Sequence, residues 1–346
     1  MVVWLAIVMA AMLTLSACGK KTALNEAMQN AWAASKDMES FTFDGSFVID
    51  ELHLPAGSQV AGDLSYLETL GNVSVSFRGA YNQDPLRMEI TLKLTIPGDA
   101  AFTVEVPVIL TDDKMYVRIP SIPLLPLGDA AGRFVEIDLA ELEGQAGALS
   151  AFDVELQRKL SVDVLNILTR HLDEESYLRE LKREDVPGLP GDVKADRYVQ
   201  LRIGEDNFEA FARALVERIA PEIIDLLLEN ESYRSALRLS EEGLRRMKEV
   251  LAADGPDSPR NRLEALKENI AVREISMTGA IKDGRFVWQL LKGNVEAENN
   301  GEKTAVNFTF NIRYDNINQD VTFEHDIPED ALSLEAFGQL FFGSLF

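Results

Sequence analysis

The sequence predicts an α+β fold in which one long, curved antiparallel sheet of about eleven strands forms a half-barrel over a helical insert. Apolar and polar residues alternate with a period of two between residues 41 and 139 and again between residues 271 and 326. Between these regions the apolar residues recur at helical spacing. A period of two predicts that one face of the sheet is wet throughout, so the middle helices have to cover the other face.

The chain begins with an apolar run. Residues 1–15 carry no charged side chain and lead into Leu15-Ser16-Ala17-Cys18. An apolar core followed by small residues is typical of a secretory signal peptide and its cleavage site. No Lys or Arg precedes the run, which departs from the usual pattern of such peptides.

The segment from Leu15 to Cys18 resembles the lipobox of bacterial lipoproteins, and Cys18 is the only cysteine in the chain. The resemblance implies that residues 1–17 are a lipoprotein signal peptide, that Cys18 carries the lipid, and that residues 18–23 are a tether. Acyl chains such as palmitate would then hold the protein on the extracytoplasmic face of the cell membrane, at about 0.8 kcal/mol per buried CH₂. The alternative is a buried cysteine in a membrane helix, but the run is shorter than the ~20 residues that a spanning helix needs.

Charge and cysteine content argue against several classes of function. The net charge is −23 and the pI is about 4.6. Nucleic-acid phosphates require clustered Lys and Arg, so nucleic acid is not an expected partner. With Cys18 acylated, no thiol remains for a disulfide, a thiolate metal site or a nucleophile.

Residues 24–38 are predicted to form the first helix, because their Ala, Met and Trp residues recur at helical spacing. Alternating segments separated by polar turns follow it. The first predicted strands are 41–50, 73–81, 86–96, 102–110, 114–119 and 133–139.

The predicted helical insert comprises residues 146–184 and 205–269, and it includes an apolar stripe that begins at Phe208 and Phe211. Pro187–Gly191 interrupts the insert, and 254–259 is a strong loop signal with a short helix after it. Asp283-Gly284 and Asn300-Gly301 predict tight hairpins, because glycine accepts the positive φ that such turns require. The remaining predicted strands are 192–203, 272–281, 285–295, 305–314 and 321–325. We expect residues 24–346 to form a single half-barrel domain, with two domains as the alternative.

A lipobox, an N-terminal helix and amphipathic strands around a helical insert resemble the half-barrel lipoproteins of the LppX/LprG type and the lipoprotein carrier LolA. Residues 114–120 and 133–138 are similar to the paired strands of such proteins. The resemblance covers nearly the whole mature chain and implies that acyl chains bind in the apolar space between sheet and helices. Ligand contacts in these proteins are dispersed apolar side chains, so individual ligand-lining residues are not assigned.

The sequence offers no constellation typical of an enzyme, and we expect neither catalysis nor a cofactor. His53, His171 and His325 fall in three different elements without a second ligand at metal-binding spacing. Nucleophile and phosphate-loop motifs are missing. Two further patterns have plain interpretations. We interpret the acidic pairs Glu174-Glu175 and Glu241-Glu242 as parts of solvated helix faces. We interpret residues 315–320 as a polar turn, although their oxygen atoms also suit Ca²⁺.

Two apolar segments are unusual. The loop from Ile119 to Gly128 is hydrophobic although loops normally face water, so it either packs on its own sheet edge or covers the mouth of a cavity or touches the membrane. The C-terminal residues 337–346 are also apolar, and such a terminus docks into the core or serves as a lid or partner-binding segment.

The sequence therefore predicts an envelope lipoprotein, not an enzyme, that binds a lipid or another apolar ligand between sheet and helices. This hypothesis requires a cavity of several hundred cubic ångströms lined by strand and helix residues. The alternative is a scaffold, interaction or chaperone lipoprotein without a cavity. The membrane, through Cys18, is the expected partner, and the sequence leaves the protein partner and the ligand open.

Overall fold

The computed structural model describes residues 23–53, 73–96, 102–122, 127–141, 154–253, 255, 258, 270–299 and 302–343. Their fold is α+β, with twelve strands in one mostly antiparallel, unclosed and curved sheet. The predicted fold class is confirmed. The predicted signal peptide, Cys18 and all but the last residue of the predicted tether lie outside the described residues.

The strands are β1 Ser40–His53, β2 Val73–Asn82, β3 Arg87–Ile96, β4 Phe102–Thr111, β5 Lys114–Arg118, β6 Phe134–Asp138, β7 Leu178–Leu181, β8 Arg197–Ile203, β9 Ile270–Lys282, β10 Arg285–Asn299, β11 Glu302–Asp315 and β12 Leu332–Ser333. The helices are α1 Leu24–Ala33, α2 Val154–His171, α3 Glu174–Tyr177, α4 Phe208–Ala214, α5 Ala220–Glu229, α6 Glu231–Ala236, α7 Glu241–Ala252 and α8 Leu334–Gly343. A 3₁₀ turn, Ala34–Asp37, continues α1, and a π-helical turn, Leu215–Ile219, joins α4 to α5. No helix in this part of the chain combines the length and the apolar character that crossing a bilayer requires.

Strands from both ends of the chain share the sheet. Its order is β12-β6-β5-β4-β3-β2-β1-β11-β10-β9-β8-β7, and β12 with β6 is the parallel pair. β1 lies in the middle, because it pairs with β2 on one side and with β11 on the other. The hairpin predicted at Asp283-Gly284 joins β9 to β10, and both residues have positive φ.

The helices pack on one face of the sheet, here called the inner face. Its main core combines Met28 and Trp32 of α1 and Val162 of α2 with inward residues of β7–β10. The strand residues in this core are Leu178, Val199, Ile281 and Phe286. Each such side chain contributes about 1.5–3 kcal/mol on full burial, so this contact holds α1 and α2 to the sheet.

The opposite face, the outer face, is not wet throughout, and this expectation was wrong. Two irregular segments cross it: a first strap, residues 182–196, and a second strap, residues 316–331. The first strap packs Val186 and Val193 against Trp288, which is only 1% exposed. The alternating pattern does not reveal that the straps bury part of this face. The outer-face side chains beneath the straps include small and polar residues as well as apolar ones.

Three predicted elements also differ from the structure. Residues 321–325 do not form a strand, because Glu324 and His325 bind side chains of the outer face and their backbone does not join the sheet. Residues 178–181, predicted within the helical insert, form edge strand β7, which pairs with β8. The strand predicted from residue 192 begins at Arg197, because residues 192–196 belong to the first strap. The start of the insert and the short helix predicted after residue 259 lie outside the described residues.

Buried tyrosines predict a loss of stability in alkali. Burial raises the pKa of Tyr116, Tyr177 and Tyr233, and at Tyr233 the hydrogen bond donated to Asp163 Oδ2 at 2.6 Å adds to the effect. The unfolded chain therefore ionises first, at its ordinary pKa of about 10. We expect the free energy of unfolding to be insensitive to these groups below about pH 10 and to fall as the pH rises further.

Urea denaturation at a series of alkaline pH values, followed by circular dichroism, measures this fall. The Tyr233→Phe variant keeps the ring and removes the ionising hydroxyl, so its stability should decline less steeply above about pH 10. Equal slopes for the two proteins would contradict the assignment to Tyr233.

Candidate functional site

A cavity of about 310 Å³ lies on the inner face, between the N-terminal helical segment, α2 and the middle of the sheet. Its volume is at the lower end of the range of small-molecule sites. Helical and strand residues both contribute to its wall, as the ligand-binding hypothesis requires. The lining residues are Trp32, Ser35, Met38, Phe41, Arg158, Ser161, Val162, Leu165, Phe286, Gln289 and Tyr314.

One stripe of α2 forms the roof of this cavity. Arg158, Ser161, Val162 and Leu165 recur at intervals of three and four, so they share one side of the helix. α2 is held in place where Val162 packs into the main core beside Trp32. The cavity therefore lies beside a rigid contact between helix and sheet and is not a gap between loops.

Aromatic rings continue from the cavity across the inner face. Phe41 lines the cavity, and ring centroids are separated by 6.0 Å from Phe41 to Phe43, 6.3 Å from Phe43 to Phe77 and 5.9 Å from Phe77 to Phe310. We call these four rings the aromatic floor. Phe41, Phe77 and Phe310 are only half-buried. The floor is thus a row of aromatic side chains on β1, β2 and β11 that begins at the cavity wall with Phe41.

Glycines lie beneath several phenylalanine rings of the inner face, where a side chain would collide with the ring. A β-carbon at Gly45 would lie 2.5 Å from the Phe77 ring, and one at Gly79 would lie 2.6 Å from the Phe43 ring. Glycine in a strand is typical of such close approach. The rings therefore pack directly over the backbone of these glycines. The same relation holds for the pairs Gly279 with Phe286 and Gly293 with Phe308.

Five of the eleven lining residues carry polar groups, and Arg158 is the one cation among them. Arg158 Nη1 donates to the backbone oxygens of Ser35 at 3.1 Å and Met38 at 3.2 Å. Burial raises the pKa of Tyr314, although the positive charge of Arg158 opposes this shift. The Tyr314 hydroxyl therefore stays neutral at neutral pH and is available as a hydrogen-bond donor.

A second cluster lies on the outer face, where the second strap meets β2 and β3. His325 Nδ1 lies 2.7 Å from Glu89 Oε1, and Glu89 is 3% exposed. Glu89, Glu324 and His325 bring ligand atoms within 4.8 Å of one another, as a metal site would. Arg78 binds Glu324 through two hydrogen bonds, and Arg87 lies 3.8 Å from Glu89. These arginines already neutralise the carboxylates, so the cluster is explained as an ion-pair network that ties the strap to the sheet.

The other polar candidates lie apart from the cavity. His53 is exposed near the end of β1, and His171 at the end of α2 contacts Glu222. Glu241-Glu242 lie in the exposed first turn of α7 and pair with Arg245 and Arg246. The polar turn at residues 315–320 is present. Its Asn318 accepts a hydrogen bond from Glu39 N and so fastens the turn to the start of β1.

The described parts of the hydrophobic loop and of the apolar C-terminal segment pack at one edge of the sheet. Ile119 and Leu127 pack with Phe337 of α8 and with Leu332 at the β6 edge of the sheet. Residues 123–126 and the side chains after Leu340 lie outside the described part. The described parts of the hydrophobic loop and the C-terminal helix thus cover each other. Phe208 and Phe211 pack on the core beneath α4 and do not line the cavity.

Sequence reasoning missed the role of Arg158, since an arginine on a helix usually faces water. Its position four residues before Val162 was a weak signal that it shares the apolar side of α2. No model of a known protein family matches the chain, and no curated protein matches it significantly. The geometry of the cavity and the aromatic floor is therefore the basis on which a function is assigned.

Proposed function

We propose that this chain is a non-enzymatic envelope lipoprotein that binds a lipid or another apolar ligand between its sheet and its helices. The observation that carries the proposal is the cavity of about 310 Å³, whose wall includes Phe41, the first ring of the aromatic floor. Lipidation of Cys18 would hold this site on the extracytoplasmic side of the cell membrane.

The shape of the site favours an acyl chain. Six of its eleven lining residues are aliphatic or aromatic and apolar, and the others add a small set of polar groups. A long, unbranched chain could fill the cavity and continue over the half-buried rings of Phe77 and Phe310. The cavity supports this function over a scaffold or chaperone whose sheet and helices pack without a gap.

Filling the cavity with protein is expected to expel the ligand. Ser161 is a small, solvent-exposed residue that lines the cavity, so the ring of Ser161→Phe is expected to block the cavity from its open side. Each displaced CH₂ costs about 0.8 kcal/mol, so the loss of two methylene contacts already weakens binding by more than about tenfold. The matched control is Ser232→Phe, at an exposed position of α6.

Native mass spectrometry with lipid extraction measures this effect on the mature chain carrying Cys18→Ala, purified from a bacterial host. We expect a bound lipid of defined mass on the parent and on Ser232→Phe, and an affinity for added lipid at least about tenfold lower on Ser161→Phe. A parent protein that carries no lipid and takes up neither fatty acid nor phospholipid would overturn the proposed function.

A further inference from the structure

Arg158 has an unusual setting for a cation in this chain. It lines an apolar cavity, and its guanidinium carbon lies 5.3 Å from the centroid of the Tyr81 ring. Within the described residues it has no carboxylate partner, and the carbonyl oxygens of Ser35 and Met38 are its acceptors. Its two carbonyl acceptors carry no net charge, so no described side chain neutralises the positive charge that Arg158 brings to the cavity.

The two contacts of Arg158 occupy one side of its guanidinium. Both are made by Nη1, which leaves Nε and Nη2 without an acceptor among the residues that the structure describes. Nε and Nη2 together form an edge that matches the two oxygens of a carboxylate.

The same chain shows how this edge binds a carboxylate. On the outer face, Arg78 Nε donates to Glu324 Oε1 at 2.9 Å and Nη2 donates to Glu324 Oε2 at 3.1 Å. Arg158 presents the equivalent edge at the cavity, where the protein supplies no such oxygens from its described residues. A ligand that enters the cavity can supply them.

The negative net charge of the protein affects how an anionic ligand could be held. At −23 the chain repels anions at long range, so an anionic ligand needs a local cation to be held. Around the cavity Arg158 supplies it, and Gln289 and the Tyr314 hydroxyl add neutral polar groups. An amphiphile could therefore place its apolar chain on the aromatic floor and its head group against Arg158.

We infer that the ligand is an acyl-chain amphiphile with an anionic head group, held by Arg158 through the Nε and Nη2 edge of its guanidinium. This inference rests on the proposed function, because it names the chemical class that the same cavity would bind. Gln289 and Tyr314 are the neighbouring groups that complete the polar end of the site.

Laurate and lauryl alcohol test the inference, since they share one chain and differ in head-group charge. Their affinities for the mature chain with Cys18→Ala can be compared by isothermal titration calorimetry at neutral pH. A charge-assisted, bidentate contact predicts that laurate binds roughly tenfold to a hundredfold more tightly than the alcohol. Arg158→Gln should remove this preference and leave the affinity for the alcohol within about twofold. Arg158→Lys keeps the positive charge but lacks the two-nitrogen edge of the guanidinium, so it should recover part of the preference for laurate.

The outcomes separate the two proposals. Equal binding of laurate and lauryl alcohol by the parent, or an equal loss of both in a folded Arg158→Gln variant, would overturn the role of Arg158 and leave the proposed function standing. If the parent binds neither compound and takes up no other lipid, both proposals are overturned. Circular dichroism and thermal unfolding of Arg158→Gln show whether the variant is folded, and binding of the alcohol shows whether its cavity is intact.

Discussion

Replacement of Trp288 by alanine is expected to lower the free energy of unfolding by about 3–5 kcal/mol. Trp288 is 1% exposed and lies on the outer face of β10, beneath the first strap. Its loss removes apolar contacts with Val186, Val193 and Tyr198 and leaves a space that the strap can fill only in part. The effect is large because the indole is the bulkiest member of this cluster.

Urea denaturation followed by far-ultraviolet circular dichroism is the measurement, since tryptophan fluorescence would change with the substitution itself. Val250→Ala is the control, because Val250 is 60% exposed on α7 and should change stability by less than about 0.5 kcal/mol. A cost of less than about 1 kcal/mol for Trp288→Ala would mean that the first strap does not pack on the outer face.

Gly279→Ala is expected to destabilise the protein by about 1–3 kcal/mol. A β-carbon at Gly279 would collide with the ring of Phe286, which is 5% exposed and packs against Trp32 with ring centroids 5.7 Å apart. The ring is restrained on the side of Trp32, because both rings belong to the main core. The usual benefit of alanine, about 0.4–1 kcal/mol from a less flexible unfolded chain, is therefore outweighed.

Gly191→Ala is the matched control, since nothing lies within 4 Å of the added carbon. We expect that variant to be neutral or slightly more stable than the parent. A double-mutant cycle isolates the cause: on a Phe286→Leu background, Gly279→Ala should cost clearly less, because a leucine can turn away from the new methyl group. Additive costs would show that the Phe286 ring is not the obstacle.

Local patterns were enough to predict much of the sheet and the first helix. The alternation of Phe41, Phe43 and Phe47 with polar residues predicts β1, because successive side chains of a strand point to opposite faces. Asp283-Gly284 predicts the turn between β9 and β10, because the required positive φ depends on the residues of the turn itself. These features depend on neighbours in sequence, which is why the fold class could be predicted.

The candidate site depends on contacts between distant parts of the chain. Arg158 lies 120 residues from Met38, whose carbonyl oxygen it binds, and no local pattern indicates that pairing. His325 and Glu89 are 236 residues apart, so the network under the second strap was equally hidden. Periodicity shows which side chains share a face, and this was sufficient to group the apolar residues of the inner face.

What lies against each face was decided by the tertiary structure alone. The alternating pattern made one face apolar, but it could not show that straps cover Trp288 and Glu89 on the other. Nor could it separate the residues buried beneath α2 from those that α2 leaves around a cavity, since core and cavity linings use the same residue types. The difference is set by how closely helix and sheet approach each other, and that distance depends on long-range packing, as at Gly279 and Phe286.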